Sequence, residues 1–155
     1  MFGWVVLGFV LGSLVEWIAH RYFLHNFSKR LFSSSHFSVH HKKCRKHNNF
    51  DDDYLNFPPS SIDGGGGEIV LLASLVIVFT PTILVSFWLW AGLVVHSFLY
   101  YFLHRKSHID VEWGKKWMPW HWDHHMGKDQ NCNWGVTNSI FDHIFRTRKI
   151  YENRR

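Results

Sequence analysis

Thirteen of the 155 residues are histidine, and ten of these stand in four short clusters. The clusters are His20-RYFL-His25, His36-FSV-His40-His41, His104-RKS-His108 and His121-WD-His124-His125. Neutral imidazole is a good ligand for iron, zinc and copper alike, so dense histidine points to metal chemistry without choosing the metal. On an ideal helix residues four apart share a face, which aims His104 and His108 at one ion. His121, His124 and His125 form a single patch by the same rule. The five-residue step from His20 to His25 turns about 140° on an α-helix, so those rings meet only where the helix leaves the membrane or tightens. The HFSVHH cluster suits either helix or turn. Ten imidazoles are too many for one ion and suit two, each with open positions for O2 or water.

Ligating imidazoles normally give their second nitrogen to a carboxylate or carbonyl. Glu16, one turn before His20, is the first candidate for that supporting role, followed by Asp123 and Asp142. A single HxxxH pair is most often surface decoration; four clusters, each beside a predicted membrane boundary, point to metal. The other three histidines read differently. His47 lies in the solvated run KKCRKHNN, His143 packs or hydrogen-bonds locally, and His96 makes a buried polar contact.

The elements that must hold these clusters are marked out by charge. Residues 1–19 and 69–103 contain no Lys or Arg, and Glu16 is the only acid in either. All 17 basic residues lie in 20–68 and 104–155. A soluble domain interleaves charge along its helices, so this separation predicts membrane segments, which a mean hydropathy of -0.14 conceals by averaging. The first run, about 2–24, is long enough to cross a ~30 Å hydrocarbon core. The second is too long for one span and short for two. Thr80-Pro81 offers a division, with Thr80 as N-cap and Pro81 at the first helical position. The expectation is a helical hairpin of segments near 68–79 and 81–104, the first limb entering only part of the bilayer. A hairpin returns the chain to the side it left, bringing both His-rich blocks together. The positive-inside tendency puts them on the cytoplasmic face and the N-terminus outside. Pro58, Pro59 and glycines 64–67 read as a flexible break. The predicted fold is all-α, an integral membrane helical protein of one domain over 1–155.

A net charge of +5 raises the question of nucleic acid, but no nucleic-acid motif accompanies it. Basic residues beside spans are accounted for by anionic headgroups. Cys44 and Cys132, without CxxC spacing, support neither a disulfide framework nor a zinc ribbon. Residues 1–19 lack a basic n-region and read as a retained anchor.

EWIAHRYFLH at 16–25, HFSVHH at 36–41, YYFLHRKSH at 100–108 and HWDHH at 121–125 together resemble the fatty acid hydroxylase/sterol desaturase superfamily of membrane oxygenases. NWGVTNSIFDHIFRTR at 133–148 resembles that family's ending, with Arg146 where many relatives carry Gly. The resemblance implies that His20, His25, His36, His40, His41, His104, His108, His121, His124 and His125 ligate two metal ions at the cytosolic face. The ions are expected to be iron, zinc being able to replace it in a purified preparation, with O2 as co-substrate. It implies hydroxylation or desaturation of a C–H bond in a fatty acyl, sterol or other lipid. Electrons are expected from a separate donor, a ferredoxin or a cytochrome b5-like protein. The short chain keeps a carotenoid substrate open, as in small carotenoid hydroxylases of the superfamily. Trp113, Trp117, Trp120, Trp122 and Trp134 would line a lipid entrance or form an interfacial belt. The rival readings are a metal transporter, which would place ligands along the spans, and a non-catalytic metal-binding scaffold.

Overall fold

The computed structural model describes residues 1–25, 36–59 and 65–151, and all regular structure among them is helical. Helix α1, Phe2–Ile18, continues directly into a π-helical turn, Ala19–Leu24. A second π-helical turn, His36–His41, leads into α2, Lys42–Lys46, and a 3-10 turn follows at Asp52–Tyr54. Helix α3 is Gly65–Val78, extended by a 3-10 turn at Thr80–Leu84. Helix α4 is Phe87–Ile109, and three shorter helices follow: α5 Val111–Trp117, α6 Pro119–Met126 and α7 Ile140–Ile144.

Three helical stretches among the described residues are long and apolar enough to cross a membrane: Phe2–Leu24, Gly67–Leu84 and Phe87–Ile109. Their outward residues, among them Leu7, Val10, Ile77, Val78, Phe98 and Phe102, are exposed and apolar. The interior is the reverse of a soluble core. Six of its largest fully buried side chains are the imidazoles of His20, His41, His104, His108, His121 and His124, and His125 joins them.

Helices α1 and α4 lie side by side and run the same way. Gly8 packs on the backbone of Leu89 and Gly92, and Gly12 on the ring of His96. Added Cβ atoms at Gly8 and Gly92 would collide with the opposing backbone, so these glycines set the interhelical distance. Parallel packing leaves His20 and His104 at the same end of the bundle. Helix α3 runs back against them, and Glu68 near its start meets His104 near the end of α4.

The hairpin differs in detail from the sequence expectation. The long helix begins at Phe87, because Ser86 is extended (φ -165°) and its hydroxyl accepts from Trp88 N at 3.2 Å. Thr80 does not cap; its hydroxyl donates back to Val76 O at 3.1 Å, and Pro81 opens a 3-10 turn. The first limb is therefore the longer Gly67–Leu84, 18 residues, rising roughly 27 Å. Glycines 65–67 belong to the first turn of α3 instead of a break, and Gly64 lies outside the described residues.

Candidate metal centre

The two π-helical turns solve the spacing problem posed by the clusters. In a π-turn the backbone bonds run i→i+5, so residues five apart stack on one face. His20 and His25 have ring centroids 5.1 Å apart, and His36 and His41 are 5.0 Å apart. Of the two expectations, an exit from the membrane or a tightened helix, the rings meet at the end of the first apolar stretch, where the helix widens instead of tightening. The α-helical pairs use the ordinary i,i+4 step: His104 and His108 are 4.7 Å apart, His121 and His125 4.5 Å.

These pairs sort into two sets. Ring nitrogens of His20, His25, His36, His41 and His124 lie within 4.8 Å of one another, as do those of His40, His104, His108 and His125. His121 joins the second set, its Nε2 3.1 Å from His108 Nε2. All ten histidines singled out in the sequence are thus brought together, and the adjacent pairs His40-His41 and His124-His125 divide between the sets. The sets abut, the rings of His41 and His125 being 4.2 Å apart.

Outer nitrogens are held from behind. His20 Nδ1 donates to Trp134 O at 2.7 Å, His108 Nδ1 to Asn49 O at 2.8 Å and His124 Nδ1 to Cys132 O at 2.6 Å. His40 Nδ1 lies 2.8 Å from Asp51 Oδ2, and His104 Nδ1 lies 2.9 Å from both Glu68 oxygens. A carbonyl only accepts, so the Nδ1 facing it carries the proton and the Nε2 lone pair points inward. His108 Nε2, so oriented, lies 3.1 Å from Nε2 of both His104 and His121, close enough for the three rings to share one cation. His25 Nε2, His121 Nδ1 and both nitrogens of His125 are buried without a hydrogen-bond partner. Converging lone pairs backed by outer acceptors suit divalent transition metals, so the donor set fits.

Electrostatics agree. Burial, reinforced by neighbouring imidazoles, pushes His41, His121, His124 and His125 well below the usual histidine range, and His25 down to about 2. The rings are neutral and able to ligate. Burial would raise the Asp51 carboxyl, but hydrogen bonds from His40 and Lys43 outweigh it and hold it below the usual carboxylate range. Burial also opposes the charge on Lys43, yet Asp51, Asp52 and Asp53 around it raise its ammonium above the usual range.

The carboxylates proposed from the sequence act elsewhere. Glu16 accepts from Val136 N, Thr137 N (3.1 Å) and the Thr137 hydroxyl (2.7 Å), and lies 3.2 Å from His96 Nε2. It anchors the 136–137 backbone to α1 and makes no hydrogen bond to His20. Asp142 accepts from Trp17 Nε1, Trp134 N, Gly135 N and the Thr147 hydroxyl, fixing the peptide whose carbonyl holds His20. Asp123 pairs with Arg148 at 3.1 Å. The carboxylates that contact the clustered imidazoles, Asp51 with His40 and Glu68 with His104, were missed. Glu68 carried one signal, an acid immediately before an apolar run. His96 makes the buried contact foreseen for it, to Glu16 and Thr137, while His47 and His143 are exposed.

A narrow cleft leads to the first set. It lies between α1 and α3 with α4 as its floor, and reaches from Phe79 and Trp90 to His20 and Glu68. Its walls are mostly aliphatic, including Val15, Leu71 and Leu75, with Phe79, Trp90 and Tyr100 beside them, and none of Trp113, Trp117, Trp120, Trp122 and Trp134 lines it. Trp134 packs on the rings of His20, His25 and His124; Trp122 is buried, and Trp120 donates to Val136 O at 2.9 Å.

A family model described as fatty acid hydroxylase matches residues 5–147. No curated protein and no solved structure matches the chain.

Proposed function

Because this chain belongs to the fatty acid hydroxylase family, we propose that it is an O2-dependent lipid oxidoreductase whose ten clustered histidines hold two iron ions. The reading rests above all on the two sets of buried ring nitrogens, each within 4.8 Å, with His20, His108 and His124 held from behind by carbonyls and His40 and His104 by carboxylates. When bound, the metals supply the reduction of O2 and the oxidising power needed for an unactivated C–H bond. His20, His25, His36, His41 and His124 serve one ion; His40, His104, His108, His121 and His125 serve the other.

The protein contributes orientation and exclusion of water. An unbranched acyl chain fits the narrow aliphatic cleft better than a rigid ring system, and reaches it sideways from the bilayer between α1 and α3. Leu71 and Leu75 hold the chain on one side and Val15 on the other, directing it toward His20. Hydroxylation and desaturation share their first hydrogen abstraction, and both belong to this proposal. Electrons come from a separate ferredoxin or cytochrome b5-like protein, the whole chain acting as one membrane domain. The 17 basic residues favour a cytoplasmic His-rich end, with the N-terminus outside.

Lipid profiling of cells with and without the protein tests the reading, with His124→Ala as the control. The expected result is an oxidised acyl lipid made by the parent chain and lost in the variant. The same product formed at the same level by His124→Ala would overturn it. Metal analysis of protein prepared without air should return two irons per chain.

A further inference from the structure

A second cavity lies on the opposite side of the α3–α4 seam from the substrate cleft. It is a groove of about 450 Å³, lined by residues of α3 and α4 with Phe57 across one end, and includes no residue of α1. Leu72, Val76, Val94 and Ser97 form the wall it shares with the cleft. The rest of its lining is almost wholly apolar, and the exposed Ile77, Phe98 and Phe102 open it onto the surrounding hydrocarbon.

Its polar end is unfinished. Tyr101, 5% exposed, lines the groove, and its hydroxyl has no hydrogen-bond partner. Arg105 follows one turn later on the same helix face, just beyond the residues that line the groove. Its Nη2 donates to Leu55 O at 3.1 Å, while its Nε–H is buried with no partner. The Phe57 ring, 5.9 Å from that of Tyr101, closes over this end. Polar hydrogens left unmatched at the edge of hydrocarbon are costly, so this pair is built for an acceptor that arrives with a ligand. Both residues lie in the second half of the Phe87–Ile109 span, toward the end that carries His104 and His108. The acceptor must be anionic to match a guanidinium, must carry several oxygens to serve two donors, and must bring an apolar chain for the groove.

We propose that this groove binds a membrane glycerophospholipid, one acyl chain lying between α3 and α4 and the phosphate resting on Arg105 and Tyr101. The site is separate from the histidine sets, and its existence does not depend on the reaction proposed for them.

Native mass spectrometry of the purified full chain, incubated with phosphatidylglycerol or with palmitate, tests the site. The parent chain should retain phosphatidylglycerol at least tenfold better than Arg105→Gln or Tyr101→Phe. Ala73→Phe, which fills the groove without touching its polar end, should abolish retention, and keeps the test decisive if a polar variant misfolds. Metal content equal to that of the parent confirms that each variant is folded. Equal phosphatidylglycerol retention by all four chains overturns the proposal, as does retention of palmitate in place of phosphatidylglycerol.

Discussion

Glu68, at the start of α3, places both carboxylate oxygens 2.9 Å from Nδ1 of His104, near the end of α4. One side chain thus joins two antiparallel spans and orients an imidazole of the second set. Glu68 also accepts from the Tyr54 hydroxyl, bringing a third segment to the same point. Outer partners of ligating histidines are typically worth 10–100-fold in metal affinity. Glu68→Ala should therefore weaken one of the two bound ions by about that factor, measured by titration with a competing chelator. Unchanged affinity for both ions would contradict the positioning role.

The protein stripped of metal should be acid-sensitive. His41, His121, His124 and His125 are buried, with pKa values held far below the usual range. Below about pH 6.5 the unfolded chain takes up protons that the folded chain refuses. Stability contributed by these rings is present above that pH and lost as the pH falls through it toward the folded values. Each contributes up to ~1.4 kcal/mol per pH unit, so the fall should be steep. Thermal unfolding of chelator-treated protein between pH 7 and 5 measures it; a flat profile would show the rings to be solvated.

Arg146 adopts φ 56°, a left-handed conformation that costs a side chain about 1 kcal/mol and glycine almost nothing. Among the described residues the other non-glycine ones with positive φ, Asn48, Asn49 and Asn133, are of the type that tolerates it. Arg146→Gly should raise the Tm by a few degrees, whereas Arg146→Ala should not. An equal response to both would remove the backbone explanation.

The contact between α1 and α4 should tolerate no added bulk. A Cβ at Gly12 would lie 2.6 Å from Cγ of His96, while Gly3 has nothing within 4 Å. Gly12→Val should destabilise the protein by ~1–3 kcal/mol or more, and Gly3→Val should be neutral in the same melting assay.

The π-turn at Ala19–Leu24 can be probed by length. Deleting Phe23 leaves His20 and the second histidine four apart, which an α-helix also aligns. Two metals per chain should survive that deletion, and an alanine inserted after Leu24 should cost one of them. Metal analysis of both variants decides; loss of metal on deletion would make the π-turn itself indispensable.

Much of this was legible in the sequence because charge and histidine are both clustered. The absence of Lys and Arg from 69–103 marks the hairpin, and i,i+4 spacing announces His104 with His108. Other features depend on contacts that spacing does not encode. The π-turns escaped because a five-residue step looks irregular against the α-helix, overwhelmingly the commoner form. Asp51 and Glu68 escaped because they lie 11 and 36 residues from the imidazoles they brace. Ser86 displaced Thr80 as the helix start because a threonine hydroxyl can equally bond backwards to its own preceding turn.

Two consecutive-residue pairs, His40-His41 and His124-His125, each send one ring to either set. Neighbouring α-carbons are about 3.8 Å apart and cannot be stretched. Covalent bond lengths, at two independent points, therefore act as a ruler between the halves of the centre. Breathing of the surrounding helices can tilt or loosen either half, but it cannot pull them apart while both dipeptides stay in place.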